Sequence, residues 1–206
     1  LTIYNEPMVQ PEEPENLDVE GVLRGLYLLA PGTHTGGIEA TILASGVGVR
    51  WALEAQELLA RDWGVNASVW SVTSWNELRR DGVAANRHNF LYPNEPAQVP
   101  YVTSKLEGVA GPIVAVSDFM HAVQDQIREF VPGTYLTLGA DGFGFSDTRP
   151  AARRYFAIDG PSVATRVLQG LADKGLVPSD SLAKAIDKYS LHDVTAGTSG
   201  SSGGEA

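Results

Sequence analysis

Residues 40–72 constrain the fold of this chain more than any other stretch. Residues 40–45 are a short, mostly apolar run that breaks at Gly46-Val47-Gly48. From 49 to 63 the groups Ala52, Leu53, Ala55, Leu58 and Leu59 recur at helical spacing, and 67–72 is a second run with only Ser68 and Ser71 polar. Strands this apolar must be covered on both faces, as in a parallel sheet. Two of them joined through an amphipathic helix make a βαβ unit, which crosses over right-handed.

The same pattern recurs on either side. Asp18 is placed to cap a helix over 19–25, and 27–30 reads as a strand. Buried strands are expected at 113–117 and 135–139, the first feeding a helix over 119–130 that stops before Pro132. Ser74-Trp75-Asn76-Glu77 is a capping box, predicting a short helix to about Arg80, and 81–100 then reads as a long polar connection. Pro161 and Ser179 open two further helices, to about Lys174 and Tyr189. The expected fold is α/β: a three-layer open sheet, mostly parallel, of about five strands with helices on both faces.

Domain limits follow from composition. Leu1-Thr2-Ile3-Tyr4 reads as the end of a strand, and 5–18, acidic with Pro7, Pro11 and Pro14, as a linker from a preceding domain. Residues 19–193 form the one domain. Residues 194–206, rich in Gly and Ser, are expected to be disordered.

Charge and motif content narrow the function. The net charge is −10 with no basic block, which argues against nucleic acid and against an anionic membrane surface. No apolar run approaches the roughly 20 residues of a membrane span. Cysteine is absent, so disulfides, thiolate metal sites and cysteine nucleophiles are excluded. Gly46-Val47-Gly48 departs from the dinucleotide fingerprint, with Trp51 where the third small residue belongs. A tight strand-to-helix turn is the simpler role, and anion binding by its amides the other. His34, His88, His121 and His192 have no metal-ligand spacing. His121 reads as a surface or capping group; His88, among asparagines, is the best candidate for a functional histidine. Ser45 lacks the frame of a nucleophile elbow. No catalytic, cofactor-binding or metal-binding residue is assigned.

The loop Asp141-Gly142-Phe143-Gly144-Phe145-Ser146-Asp147 stands apart. Gly142 and Gly144 permit positive φ, so the chain can turn sharply and present Phe143 and Phe145 outward as anchors of a protein contact. Asp141, Ser146 and Asp147 are suited to hold backbone N–H groups. Two rival roles remain: the rings fold into the domain's own core, or the loop serves a small molecule at the carboxyl edge of the sheet.

Several segments together resemble the C-terminal domain of homodimeric bacterial pyruvate dehydrogenase E1 components. They are Tyr4-Asn5-Glu6, residues 21–27, Leu43-Ala44-Ser45-Gly46, Ser71-Val72-Thr73-Ser74 with Glu77-Leu78 and Arg80-Asp81-Gly82, Leu91-Tyr92-Pro93 with Pro100-Tyr101-Val102, and 138–147. The D-G-F-G-x-S-D form of the last is the most specific. The resemblance implies a cytoplasmic parent enzyme that binds thiamine diphosphate and Mg²⁺ in other domains, decarboxylates pyruvate and acetylates lipoyl groups of its E2 acetyltransferase partner. It also implies that this domain supports the homodimer, holds no cofactor, is inactive alone, and carries one antiparallel strand in its sheet. A different transketolase-like enzyme, or a free-standing anion-binding module, are the alternatives.

Overall fold

A computed structural model describes residues 7–33 and 37–198. His34, the segment 1–4 and residues 199–206 lie outside the described residues. Five strands form one sheet in the order β1-β3-β2-β4-β5: β1 (Leu26–Ala30), β2 (Ile38–Ala44), β3 (Val65–Val72), β4 (Ile113–Val116) and β5 (Tyr135–Leu138). The four later strands run parallel and only β1 is antiparallel, paired with β3. The most apolar sequences take the middle: β4 is buried throughout, and β2 from Ala40 onward. That is the expected fold.

Alternation along β2 feeds two cores. Ile42 and Ala44 face one side of the sheet with Val69, Val114 and Val116, under α2 (Gly48–Trp63) and α7 (Gly160–Asp173). Leu43 faces the other with Ala115 and Tyr135, under α3 (Trp75–Leu91) and α4 (Tyr101–Leu106). Ala52, Ala55 and Ala164 are among the buried residues where α2 meets α7, and their small side chains permit a close helix approach. Met8, in the proline-rich segment, packs on the first core.

Four expectations need correction. The helix opened by Ser74 does not end near Arg80 but runs to Leu91, so much of the supposed 81–100 connection is helical. Past Leu78 its buried stripe continues through Gly82 and Ala85, residues too small to read as an apolar face. The single helix expected over 119–130 is instead α5 (His121–Asp125) followed by a 3₁₀ turn, Arg128–Phe130. The Phe119 carbonyl accepts from Ala140 N (2.9 Å), which ties the chain to the neighbouring loop where a helix would have begun. A further helix, α6 (Arg149–Tyr155), was not anticipated; Thr148 caps it by accepting from Ala151 N. Finally, disorder does not start at 194: Val194–Thr198 makes a 3₁₀ turn beside α6, with Asp193 accepting from Thr195 N (2.9 Å).

Two polar arrangements finish the scaffold. Arg154 of α6 is buried and donates from Nε to Asp159 (2.6 Å) and from Nη1 to the carbonyls of Tyr189 and Ser190 (2.9 and 3.2 Å). Asp159 also caps α7 through Ser162 N (3.1 Å), so one ion pair joins α6, α7 and the end of α8 (Ser181–Lys188). At the sheet border, Arg128 donates to the outward Tyr135 carbonyl of β5 (2.8 Å) and to Asp125 (2.7 Å). No helix among the described residues is long and apolar enough to cross a membrane.

Candidate functional site

Ligands of open α/β sheets bind outside the carboxyl ends of the strands, where neighbouring connections leave in opposite directions. In this chain the switch lies between β2, whose connection leads to β3, and β4, whose connection leads to β5. A crevice of about 430 Å³ opens there, lined by Ser45 and Gly46 after β2, Thr73 to Asn76 after β3, and Phe119, Val123 and Gln126 after β4. Trp75 forms one wall and donates from its indole to Ser45 Oγ (2.9 Å). Ser45 is thus a buried acceptor for a tryptophan, with no histidine among the crevice residues to activate it. A larger groove, about 580 Å³, runs between residues 8–14 and the start of α2 near Arg50.

The Gly46-Val47-Gly48 turn favours the structural role of its glycines. Gly46 has φ 56°, and a Cβ on Gly48 would lie 3.1 Å from the Val116 carbonyl, so the turn packs tightly against β4. The first amides of α2 are turned back on the turn itself, Gly48 N to Ser45 O (3.0 Å), Val49 N to Gly46 O (3.3 Å) and Arg50 N to Val47 O (3.2 Å). Donors so engaged do not await an anion.

Beyond the crevice stands the glycine loop. Gly142 and Gly144 have φ 115° and 103°, conformations open to glycine. Asp141 ties the loop to α5: one carboxylate oxygen accepts His121 N (3.0 Å) and the other lies 2.7 Å from His121 Nδ1. The His121 amide, more than its ring, holds the Asp141 carboxyl below the usual carboxylate range. Asp147 accepts Thr148 N (2.7 Å) at the start of α6. The two phenylalanines part company. Phe143 projects into solvent and packs on nothing, whereas Phe145 stacks on Tyr155 of α6 at 4.3 Å between ring centroids. Ser146 is exposed. The expectation of two outward rings therefore holds for Phe143 alone.

His88 is not among the residues that line the crevice. It sits in the last turn of α3, its ring 5.0 Å from that of Tyr92 and its Nε2 3.5 Å from Glu95. These are the neighbours of a local brace. Among the described residues no group of three His, Asp or Glu side chains is placed to hold a metal ion. The α2 amides, bonded within their own turn, form no cradle for a diphosphate.

Residues 25–159 match the family described as the transketolase-like TK C-terminal domain. The chain belongs to that family. As a transketolase-like C-terminal domain it is also similar, almost end to end, to part of larger proteins. The pyruvate dehydrogenase E1 component of Mycolicibacterium smegmatis is 59% identical over 196 residues, which are 95% of this chain and 21% of that protein. The same component of Mycobacterium tuberculosis is 56% identical with the same coverage. The chain thus spans about a fifth of the length of these relatives. Among solved structures, a transketolase from Pichia stipitis superposes with a TM-score of 0.51 at 22% identity, over 78% of this chain and 20% of that one. That likeness speaks for the fold.

Proposed function

We propose that this chain is the C-terminal domain of a thiamine-diphosphate-dependent pyruvate dehydrogenase E1 component and serves that enzyme by contact. One observation carries this reading: identity of 59% to such a component extends over 95% of the chain. A relationship with transketolases alone is far more distant, at 22% identity. In the parent enzyme, pyruvate is decarboxylated and the acetyl group passed to lipoyl groups of the E2 acetyltransferase, in the cytoplasm. Thiamine diphosphate and Mg²⁺ are held by the other domains. The partners are those domains, a second E1 subunit and E2; nucleic acid and membranes are not partners.

Within this role the glycine loop is a contact site of the homodimer. A fully exposed Phe143, held out on a loop pinned by Asp141 and Asp147, has the character of an interface anchor. Phe145 and Tyr155 form its base. Calorimetric titration of the isolated chain with thiamine diphosphate and Mg²⁺ tests the division of labour. No heat of binding is expected, and sub-millimolar affinity for the pair would refute it.

A further inference from the structure

The opposite flank of the domain carries a feature the E1 reading does not use. Helix α3 has 17 residues, about 25 Å at 1.5 Å per residue, whereas β4 beside it has four. Ala85 is its last buried residue. Beyond it the chain continues through Phe90, Leu91 and Tyr92 to Val99 without burying a single side chain, and Phe90 is 84% exposed. An apolar tip of this kind ordinarily belongs to a mobile loop or is hidden by something else.

This one is braced from within. Asp81 accepts Tyr101 N (2.6 Å) and so closes the base of the excursion. Higher up, Asn89 donates to Gln98 O (2.9 Å) and accepts Gln98 N (2.8 Å), pinning the returning strand of chain to the helix. Tyr92 N bonds His88 O (2.8 Å) and Glu95 N bonds Tyr92 O (3.0 Å), while Pro93 and Pro96 fix two further φ angles. The helix face that carries Phe90 also carries Arg79, Val83 and Arg87, all exposed, in a chain of net charge −10. Order without burial is preorganisation: the conformational cost of docking is met before any partner arrives.

We propose that residues 81–101 form an arm that inserts Phe90, Leu91 and Tyr92 into an apolar recess, rimmed by acidic groups, in the remainder of its own longer subunit. The proposal rests on the E1 reading. Its occupant follows from length: about four fifths of each relative lies outside the region this chain matches. A surface on the same polypeptide also meets the arm at high effective concentration. The arm is thereby an interdomain latch, distinct from the glycine loop that faces the second subunit.

Hydrogen exchange on the isolated chain and on the full-length protein decides it. Amides of residues 86–99 outside the internal bonds should exchange at least tenfold more slowly in the full-length protein, equally at concentrations where it is dimeric and where dilution has made it monomeric. Phe90→Asp with Leu91→Asp should abolish that difference and leave the melting temperature of the isolated chain unchanged. Protection lost on dilution would assign the arm to the second subunit, and protection gained only on adding E2 would assign it to that partner. Either result, or no protection at all, overturns the proposal. Pyruvate decarboxylation is assayed on the same full-length sample. Its absence would sink the E1 reading while leaving the protection result to stand by itself.

Discussion

The junction of α6, α7 and α8 and the arm over residues 81–101 are braced by the same kinds of polar group in opposite surroundings. At the junction Arg154 and Asp159 have side chains only 4% and 13% exposed; the bonds of Arg154 reach from α6 to Asp159 and to the end of α8, while Asp159 also caps its own helix α7. In the arm Asn89 and Gln98 hold one segment to itself in water, above a half-buried base where Asp81 accepts Tyr101 N. A buried pair left incomplete is costly because the remaining charge cannot be solvated. An exposed bond left incomplete is replaced by water at little cost. The first arrangement therefore governs whether the domain folds, and the second only what shape it offers.

Breaking the junction should give the largest effect. Arg154→Met leaves Asp159 without its cation and the Tyr189 and Ser190 carbonyls without their donor. We expect a loss of about 3–5 kcal/mol in urea unfolding. Adding Asp159→Asn should restore much of it, since the lone buried charge is then gone and the amide still caps α7. A single variant as stable as the parent would remove the distinction drawn above.

Gly82 lies where the arm's helix leaves the core, and a Cβ there would meet the Phe130 ring at 2.5 Å. Gly82→Ala should cost about 1 kcal/mol net, overpacking of roughly 1–3 outweighing the ~1 gained in helix propensity. A rise in the unfolding midpoint would show that the Phe130 ring can move aside.

A gentler probe is pH. Glu54 of α2 accepts the Gly160 amide beside Asp159, and burial, then the Asp159 charge, pushes its carboxyl above the ordinary value of 4.5. A raised carboxyl favours the neutral form in the fold. The stability it contributes is therefore complete below pH 4.5 and is lost as pH rises through the folded value. Glu54→Gln should accordingly raise the thermal midpoint at pH 7, by an amount that vanishes towards pH 4. An advantage independent of pH would place the effect in packing instead.

The smallest effects are expected at the exposed tips. Phe143→Ala and Phe90→Ala in the isolated chain should each stay within about 0.5 kcal/mol of the parent. A larger loss from Phe143→Ala would revive the reading in which its ring belongs to the core.

What the sequence disclosed tracks the strength of apolar periodicity. The strands and α2 were legible because Ile42, Leu43, Val69 and Leu59 are large and regularly spaced. The second half of α3 was not, because Gly82 and Ala85 carry its buried stripe and Asn86 and Asn89 suggest a loop. Helix α6 was missed for a related reason: one of its two buried residues is Arg154, a charge satisfied only in three dimensions. The outward Phe143 could be anticipated from glycines on either side. The stacking of Phe145 could not, since its partner Tyr155 lies on that unseen helix. The clamps of the arm left no periodic signal, as they join Asn89 to Gln98 and Asp81 to Tyr101 across a segment with no repeat.

The guanidinium of Arg128 has a consequence beyond the monomer. A terminal strand with an unclaimed carbonyl is a template on which another chain can crystallise its own backbone. On β5 that carbonyl, Tyr135 O, is already claimed, and the arginine is held in place by Asp125. Arg128 thereby takes up one of the outward groups through which a second sheet could extend this one at β5.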